Sequence, residues 1–486
     1  MREQILSLKP QQVWNFFYEI CKIPHTSHNL SKISEYIIDF AKERGLEYNT
    51  DAAGNIVIIK AASEGMENKK GVVIQSHIDM VGQKRHSSTH IFFTDPLTIY
   101  VDNGWVRAVD TSLGADNGIG VAAMLAILDD NSIVHPEIEA LFTLDEECGM
   151  EGATLLDKQL LKHSIMINTD SEEDNSAFVG CAGGIDFKAS LNYINEVCNL
   201  DYHAYKLSIK GLNGGHSGVD IHRGRANAIK LLFRFLNFAT QAYDVRIAEV
   251  QGGGTRNAIP RDAEAVIVVG ELGRNDFFKE VELFRNLFCN EYNTIENDID
   301  FTCEPTEIPK GILPYEFQRK FVNVIEATPD GVERMIPGFD NTVETSSNLA
   351  IVDCKDGSAT IQILVRSTMS SRKYNYISKL WSLYSLVDAE IELFGDYPSW
   401  TPNLNSPILS VAKDFYQREF GEALKTKVMH AGLECGIISS LYPNMDMISI
   451  GPNMLHPHSP DECVEIASVE KFWKFLLGIL ENSPNI

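Results

Sequence analysis

Three short apolar runs, "GVVIQSH", "IEALFTL" and "SIMINTD", stand between residues 71 and 170. They lack the polar alternation of a strand with one wet face, so each reads as a strand covered on both sides. Helical spacing separates the strand-like segments: "SKISEYIIDFAKERG" precedes the strand-like "NIVIIKA", and "GIGVAAMLAILDD" follows "GVVIQSH". Apolar strands alternating with helices imply an α/β domain built on a mostly parallel sheet flanked by helices. In such a sheet, sites form beyond the carboxyl ends of the strands.

After "CAGGIDFKASL" the strands alternate more strongly and glycine-rich loops join them, which predicts an inserted α+β unit. The segment "GDYPSWTPNLNSP", 395–407, reads as a linker. Beyond it, helix "ILSVAKDFYQREFG", strand "MDMISIGP" and helix "VEKFWKFLLGILE" restore the first pattern. The expected organisation is therefore a discontinuous first domain, 1–184 and 398–486, with an inserted lid-like domain, 185–397. Within the insertion, "NAIPRDAEAVIVV" and "NLAIVDCKDGSATIQILV" both resemble hairpins followed by helices, which suggests an internal duplication.

With 486 residues and 44% hydrophobic content the chain can bury a full core. Its 67 acidic and 42 basic residues give a formal charge of −25, which opposes binding to nucleic acid or to an anionic membrane. The longest apolar stretch, around "IGVAAMLAIL", falls well short of the ~20 residues of a membrane span. Nine scattered cysteines without a C-x-x-C pair suit a reducing compartment. The opening "MREQILSLKPQQVWNFF" carries charges and reads as an amphipathic helix rather than a signal peptide, so a cytoplasmic protein is expected.

Histidines and carboxylates gather after the strand-like runs. His77 and Asp79 end the first in "QSHIDMVG", Glu146 and Glu147 follow the second in "DEECGMEG", Asp170 ends the third, and His458 follows "MISIGP" in "HPHSPDE". Asp116 lies in "SLGADNGIG", directly before a helix. Each residue has a plainer explanation taken alone: a turn, a helix cap, a solvated loop. "YVDNGWV" at 100–106, a hairpin turn by its pattern, shows the same Asp-Asn-Gly serving no site. Independent capping does not explain why imidazoles and carboxylates follow successive strands of one sheet. Together they form a set that borderline metal ions accept, with a carboxylate able to bridge neighbouring ions.

A rival reading is a dinucleotide-dependent oxidoreductase, since "GIGVAA" at 118–123 matches G-x-G-x-x-A and opens a helix. The polar "DTSLGADN" separates those glycines from any strand, and that reading leaves the histidines and acids idle. A metal-bound scaffold without catalysis is a second rival, against which Glu146 stands beside a complete ligand set.

These segments resemble the fingerprint of the di-zinc metallopeptidases that include carboxypeptidase G2-like enzymes, carnosinases and aminoacyl-histidine dipeptidases. The resemblance spans nearly the whole chain. "GGHSGVDIHRGRANAI", "HAGLECG" and the long insertion bring it nearest to the cytosolic non-specific or Xaa-His dipeptidase branch. It implies two Zn2+ per subunit, with Co2+ or Mn2+ as alternatives. His77 and Asp170 would hold one ion, Glu147 and His458 the other, and Asp116 would bridge them; "HSPDE" favours His458 over His456. Asp79 would orient His77 and Glu146 would be the general base, acting on a zinc-activated water. His216, Asn257 and Arg366 would be lid groups contacting substrate, and Glu434 would face its free amino end. The resemblance also implies a small peptide substrate and a homodimer. An N-acyl-amino-acid amidohydrolase using the same metals is the alternative within the family.

Overall fold

The computed structural model describes residues 2–199, 201–339 and 341–486. The chain forms two compact units: one of Met1–Cys181, Trp400–Val428 and Leu433–Ile486, the other of Ala182–Ser399 and Met429–Gly432. The sequence placed the borders of the insertion at 185 and 397, against 182 and 399 here, and did not foresee the return at Met429–Gly432.

The first unit is built on an eight-stranded sheet ordered Glu47–Thr50, Ile56–Lys60, Ile138–Thr143, Val72–His77, Ile165–Asn168, Asp446–Ser449, Ser176–Cys181 and Lys425–Met429. Its centre is parallel. Val72–His77 pairs in parallel with Ile138–Thr143 and Ile165–Asn168, and Asp446–Ser449 with Ile165–Asn168. Antiparallel pairs flank them, through Ile56–Lys60 on one side and Ser176–Cys181 on the other. Every residue of the three apolar runs within these parallel strands is buried. That is the burial expected of strands covered on both faces.

The helix Ala115–Asp129 is apolar all round and almost wholly buried, because it lies between the sheet and the helix Gln11–Ile20. Its glycines permit that closeness. A Cβ on Gly118 would stand 3.0 Å from Phe17, and one on Gly120 only 2.2 Å from Asn117 Oδ1 and Thr169 Oγ1. The G-x-G of "GIGVAA" is thus explained by packing. At the helix's far end, the buried Lys60 Nζ donates to the carbonyls of Ile127 (2.8 Å) and Asp130 (2.9 Å). Those are carbonyls a helix leaves without partners.

The expected single N-terminal helix is instead two, Arg2–Leu6 and Gln11–Ile20. Pro10 separates them, since proline brings no N–H to continue a helix. The turn in "YVDNGWV" is present: Ile99–Asp102 pairs antiparallel with Trp105–Ala108, and Asn103 and Gly104 have φ of 47° and 87°. No helix among the described residues is long and apolar enough to cross a membrane, and the nine cysteines are all free.

The second unit holds a nine-stranded sheet, with long antiparallel strands Gly183–Asn192, Val343–Lys355 and Ser358–Ser367. Helices Ala228–Ala242, Arg274–Glu291, Tyr315–Ala327 and Ser370–Ser385 supply the core with side chains such as Phe235, Phe277 and Phe321. Here the hairpin expectation holds for one segment only. Val343–Lys355 and Ser358–Ser367 form a hairpin. "NAIPRDAEAVIVV" does not: Ala258–Ile259 pairs with Gly215–His216, and Ala263–Val269 lies between His203–Lys210 and Val245–Gly252. Pro260, which cannot donate to a ladder, stands where the first of these pairings ends. The proposed linker also starts late, because Gly395–Tyr397 completes the strand Glu390–Tyr397.

The packing around Gly120 gives a prediction of definite sign. Helix propensity alone favours Gly→Ala by about 1 kcal/mol, whereas overpacking at this depth costs about 1–3 kcal/mol. Gly120→Ala should therefore be destabilised in urea unfolding; a raised midpoint would contradict the close approach.

Candidate metal centre

The four central parallel strands deliver their side chains to one edge of the sheet because they all run in one direction. His77 is the last residue of Val72–His77 and Asp79 lies just beyond it; Glu146 and Glu147 follow Ile138–Thr143; Asp170 follows Ile165–Asn168; and His458 lies further past Asp446–Ser449, in the connection between the short paired strands Met454–Leu455 and Cys463–Glu465. Asp116 arrives from the crossover between the first two of these strands. Its backbone is not helical (φ −82°, ψ 105°), and its side chain turns away from capping to face the two histidines.

His77 Nε2 lies 3.0 Å from Asp116 Oδ1 and 3.1 Å from Asp170 Oδ1. His458 Nε2 lies 3.3 Å from Asp116 Oδ2 and 2.9 Å from Glu147 Oε1. Two ligand groups result, His77, Asp116, Asp170 and Asp116, Glu147, His458, each with donor atoms within 4.8 Å of one another. Asp116 belongs to both, with one oxygen turned to each histidine. A third group, His77, Glu146 and Glu147, places Glu146 against the same cluster. His456 enters none of these groups among the described residues.

The donor set suits a pair of divalent cations. Imidazole nitrogen and carboxylate oxygen are the ligands that zinc and its neighbours accept. The acids repel one another and need positive charge among them. Glu147 Oε1 is buried without a hydrogen-bond donor although His458 Nε2 is close by, as befits two atoms aimed at a common third partner.

The protein groups alone record the same demand for positive charge. Burial opposes a charged His77, yet the facing carboxylates of Asp170 and Asp116 raise its pKa well above the usual value. The facing carboxylates of Asp116 and Glu147 push His458 to about 11. Burial would raise Asp116, but its bonds with His458 and His77 prevail and hold it well below the carboxylate range. Burial also drives Glu146 and Asp170 well above that range.

Asp79 fixes the framework. Its backbone oxygen lies 3.1 Å from His77 Nδ1 and its Oδ1 3.3 Å away, so the ring is gripped from behind while Nε2 faces the cluster. The same carboxylate accepts the amides of Glu146 (3.0 Å) and Glu147 (3.1 Å) and the Ser27 hydroxyl (2.8 Å). The sequence pointed to the His77 partnership but not to the amide contacts, which depend on how the Asp145–Met150 loop folds.

Beneath the cluster lies a buried polar layer that the sequence did not reveal. Gln75 Nε2 donates to Glu434 Oε2 (2.6 Å) and Thr143 Oγ1 (3.1 Å), Thr143 Oγ1 donates to Glu434 Oε2 (2.8 Å), and Asn168 donates to Gln75 Oε1 (2.6 Å). Glu434 belongs to the first unit, at the start of the helix Glu434–Leu441, and not to the insertion. It is fully buried; burial raises its pKa to about 7, and its Oε1 has no hydrogen-bond partner. Residues such as Gln75 and Thr143 look like ordinary strand positions in sequence, so only the register across neighbouring strands identifies them.

The remaining candidates lie in the second unit, where Ser217 ties them together. Its amide donates to the Asn257 carbonyl (2.8 Å) and its hydroxyl accepts from Arg366 Nε (3.3 Å). Arg366 is buried and also donates to Tyr397 Oη (2.6 Å), whereas Asn257 is exposed. His216 Nδ1 accepts the amides of Gly218 (3.2 Å) and Val219 (3.1 Å), which leaves its proton on Nε2. Burial and then Arg366 lower its pKa to about 4. His430, unforeseen from the sequence, is buried with Nε2 2.7 Å from Ser346 Oγ.

Comparison with known proteins bears on the whole chain. Cytosol non-specific dipeptidase of Escherichia coli (strain K12) is 42% identical over 482 residues, covering 99% of each chain. The crystal structure of aminoacylhistidine dipeptidase from Vibrio alginolyticus matches with a TM-score of 0.93 and 41% identity over 100% of both chains. A tripeptidase from Staphylococcus aureus shares the fold alone, with a TM-score of 0.56 and 16% identity over 98% of this chain and 99% of its own. Residues 73–482, from just before the first candidate ligand to well past the last, match the model of peptidase family M20/M25/M40, and the chain belongs to that family.

Proposed function

We propose that this protein is a cytoplasmic dipeptidase that hydrolyses small unblocked peptides, with Xaa-His or broad specificity, using two divalent cations, zinc in the first instance. The observation that carries the reading is the sharing of Asp116 between two ligand groups that each contain a histidine and a second carboxylate. Support for the substrate class comes from the near full-length likeness to proteins named as dipeptidases.

In this reading His77 and Asp170 would hold one cation, Glu147 and His458 the other, and Asp116 both. When bound, the pair supplies Lewis acidity toward the peptide carbonyl and lowers the pKa of the attacking water from ~15.7 toward ~7. Glu146, placed against the same cluster, would take a proton from the attacking water and return it to the leaving amine. Asp79 holds the His77 ring and, through the amides of Glu146 and Glu147, the loop that carries the base. In the second unit, His216 would donate from Nε2 to the substrate carbonyl oxygen, and Asn257 and Arg366 would bind its carboxylate, for which a guanidinium has the fitting fork of donors. Glu434 would meet the free amino group, its unpartnered Oε1 serving as acceptor.

Two outcomes are expected. A divalent cation at 100 times its Kd should stabilise the chelator-treated protein by about 2.7 kcal/mol, an increment that Asp116→Asn largely removes. Thermal melts with Zn2+, Co2+ and Mn2+ check this, and unchanged melting with all three would defeat the metal assignment. Glu146→Gln should lower turnover of Leu-Gly and β-Ala-His by roughly 10^2- to 10^4-fold while cation content stays at the wild-type level. Cleavage of N-acetyl-ornithine alone would instead make the enzyme an amidohydrolase.

A further inference from the structure

Both oxygens of one buried carboxylate are spent on the backbone just ahead of Asp116. Glu462 Oε2 accepts the amides of Leu113 (2.7 Å) and Gly114 (3.0 Å), and Oε1 those of Ala115 (2.8 Å) and Asp116 (3.4 Å). Four consecutive N–H groups converge because Gly114 adopts the left-handed conformation (φ 69°, ψ 27°) within the run. Successive amides arranged in this way form a cup for an anion. Here a side chain of the same protein fills it, from a residue only 3% exposed.

Glu462 is held four residues from His458 by a turn in which the Glu462 amide donates to the Ser459 carbonyl (3.1 Å). That turn grips Asp116 twice: His458 Nε2 faces Asp116 Oδ2, and Glu462 holds the Asp116 backbone. Asp116 has no regular structure to fix it, since its own φ and ψ and those of Asn117 are not helical. An aspartate side chain cannot keep one oxygen toward each of two ligand groups if its main chain drifts.

We propose that Glu462 is a positioning residue for the metal pair, whose carboxylate sets the main chain at 113–116 and thereby aims Asp116 at both ligand groups. The proposal rests on the reading of Asp116 as a shared ligand. Glu462 itself touches neither substrate nor cation.

The test is a Co2+ titration of the chelator-treated full chain, followed by visible absorption, for wild type, Glu462→Gln and Asp116→Asn, together with kcat and KM on Leu-Gly. Glutamine keeps the size but turns an NH2 toward two of the amides, donor against donor. Loss of a partner that orients a ligand typically costs 10- to 100-fold in metal affinity. Glu462→Gln should therefore bind at least one of two Co2+ ions about 10- to 100-fold more weakly, with an altered absorption spectrum and a fall in kcat larger than any change in KM. Wild-type affinities and spectrum in Glu462→Gln would overturn the proposal, and a lowered melting temperature with those features unchanged would do so equally, assigning Glu462 to folding alone. If Glu462→Gln does not fold, Gly114→Ala carries the same expectations, since it disturbs the cup from the other side. The underlying reading fails separately: wild type would take up no pair of ions, or Asp116→Asn would bind both as tightly as wild type.

Discussion

Like charges forced together govern this structure. Asp116, Asp170 and Glu147 are brought beside two imidazoles at one sheet edge, with donor atoms of each group within 4.8 Å. Carboxylates at such range, away from bulk water, repel strongly. No net of hydrogen bonds among acids relieves that repulsion unless positive charge enters. Protonated histidines can supply some, as the raised values of His77 and His458 record. Two divalent cations would supply more, held by the two ligand groups that share Asp116.

Holding acids in such an arrangement calls for rigid support. The central strands share one direction, so their ends fall at one level, and the polar layer of Gln75, Thr143, Asn168 and Glu434 lies directly beneath with most of its hydrogen bonds made. Asp79 and Glu462 do for loops what that layer does for strands. Each is a buried carboxylate that accepts main-chain amides, one fixing the loop of Glu146 and Glu147, the other the approach to Asp116. Charge-assisted bonds to backbone N–H are among the stronger ones available to a protein. They suit segments that have no regular ladder to hold them.

What the sequence disclosed followed from periodicity and chemistry. Covered strands such as Val72–His77 announce themselves by unbroken apolar character, and a histidine or acid just past such a run announces an edge. What it hid depends on partners far apart in the chain. Gln75 and Thr143 matter through register with one another, and Glu462 through amides some 350 residues away in sequence. The hairpin expected at "NAIPRDAEAVIVV" failed for a related reason. Its two halves look like neighbours in sequence, but Ala263–Val269 finds better cover between His203–Lys210 and Val245–Gly252. Pro10 likewise overrode an amphipathic pattern that reads as one continuous helix.

The "GIGVAA" segment shows how one local pattern can serve two chemistries. In a dinucleotide fold, such glycines bring a helix start close to a pyrophosphate, which binds the free amides there. Here the glycines bring the helix against Phe17, Thr169 and Ser76, and the amides just before it are already engaged by Glu462. A phosphate would have to displace a buried carboxylate that uses both oxygens. The positive end of this helix is therefore spent internally, on fixing the aspartate that both ligand groups share.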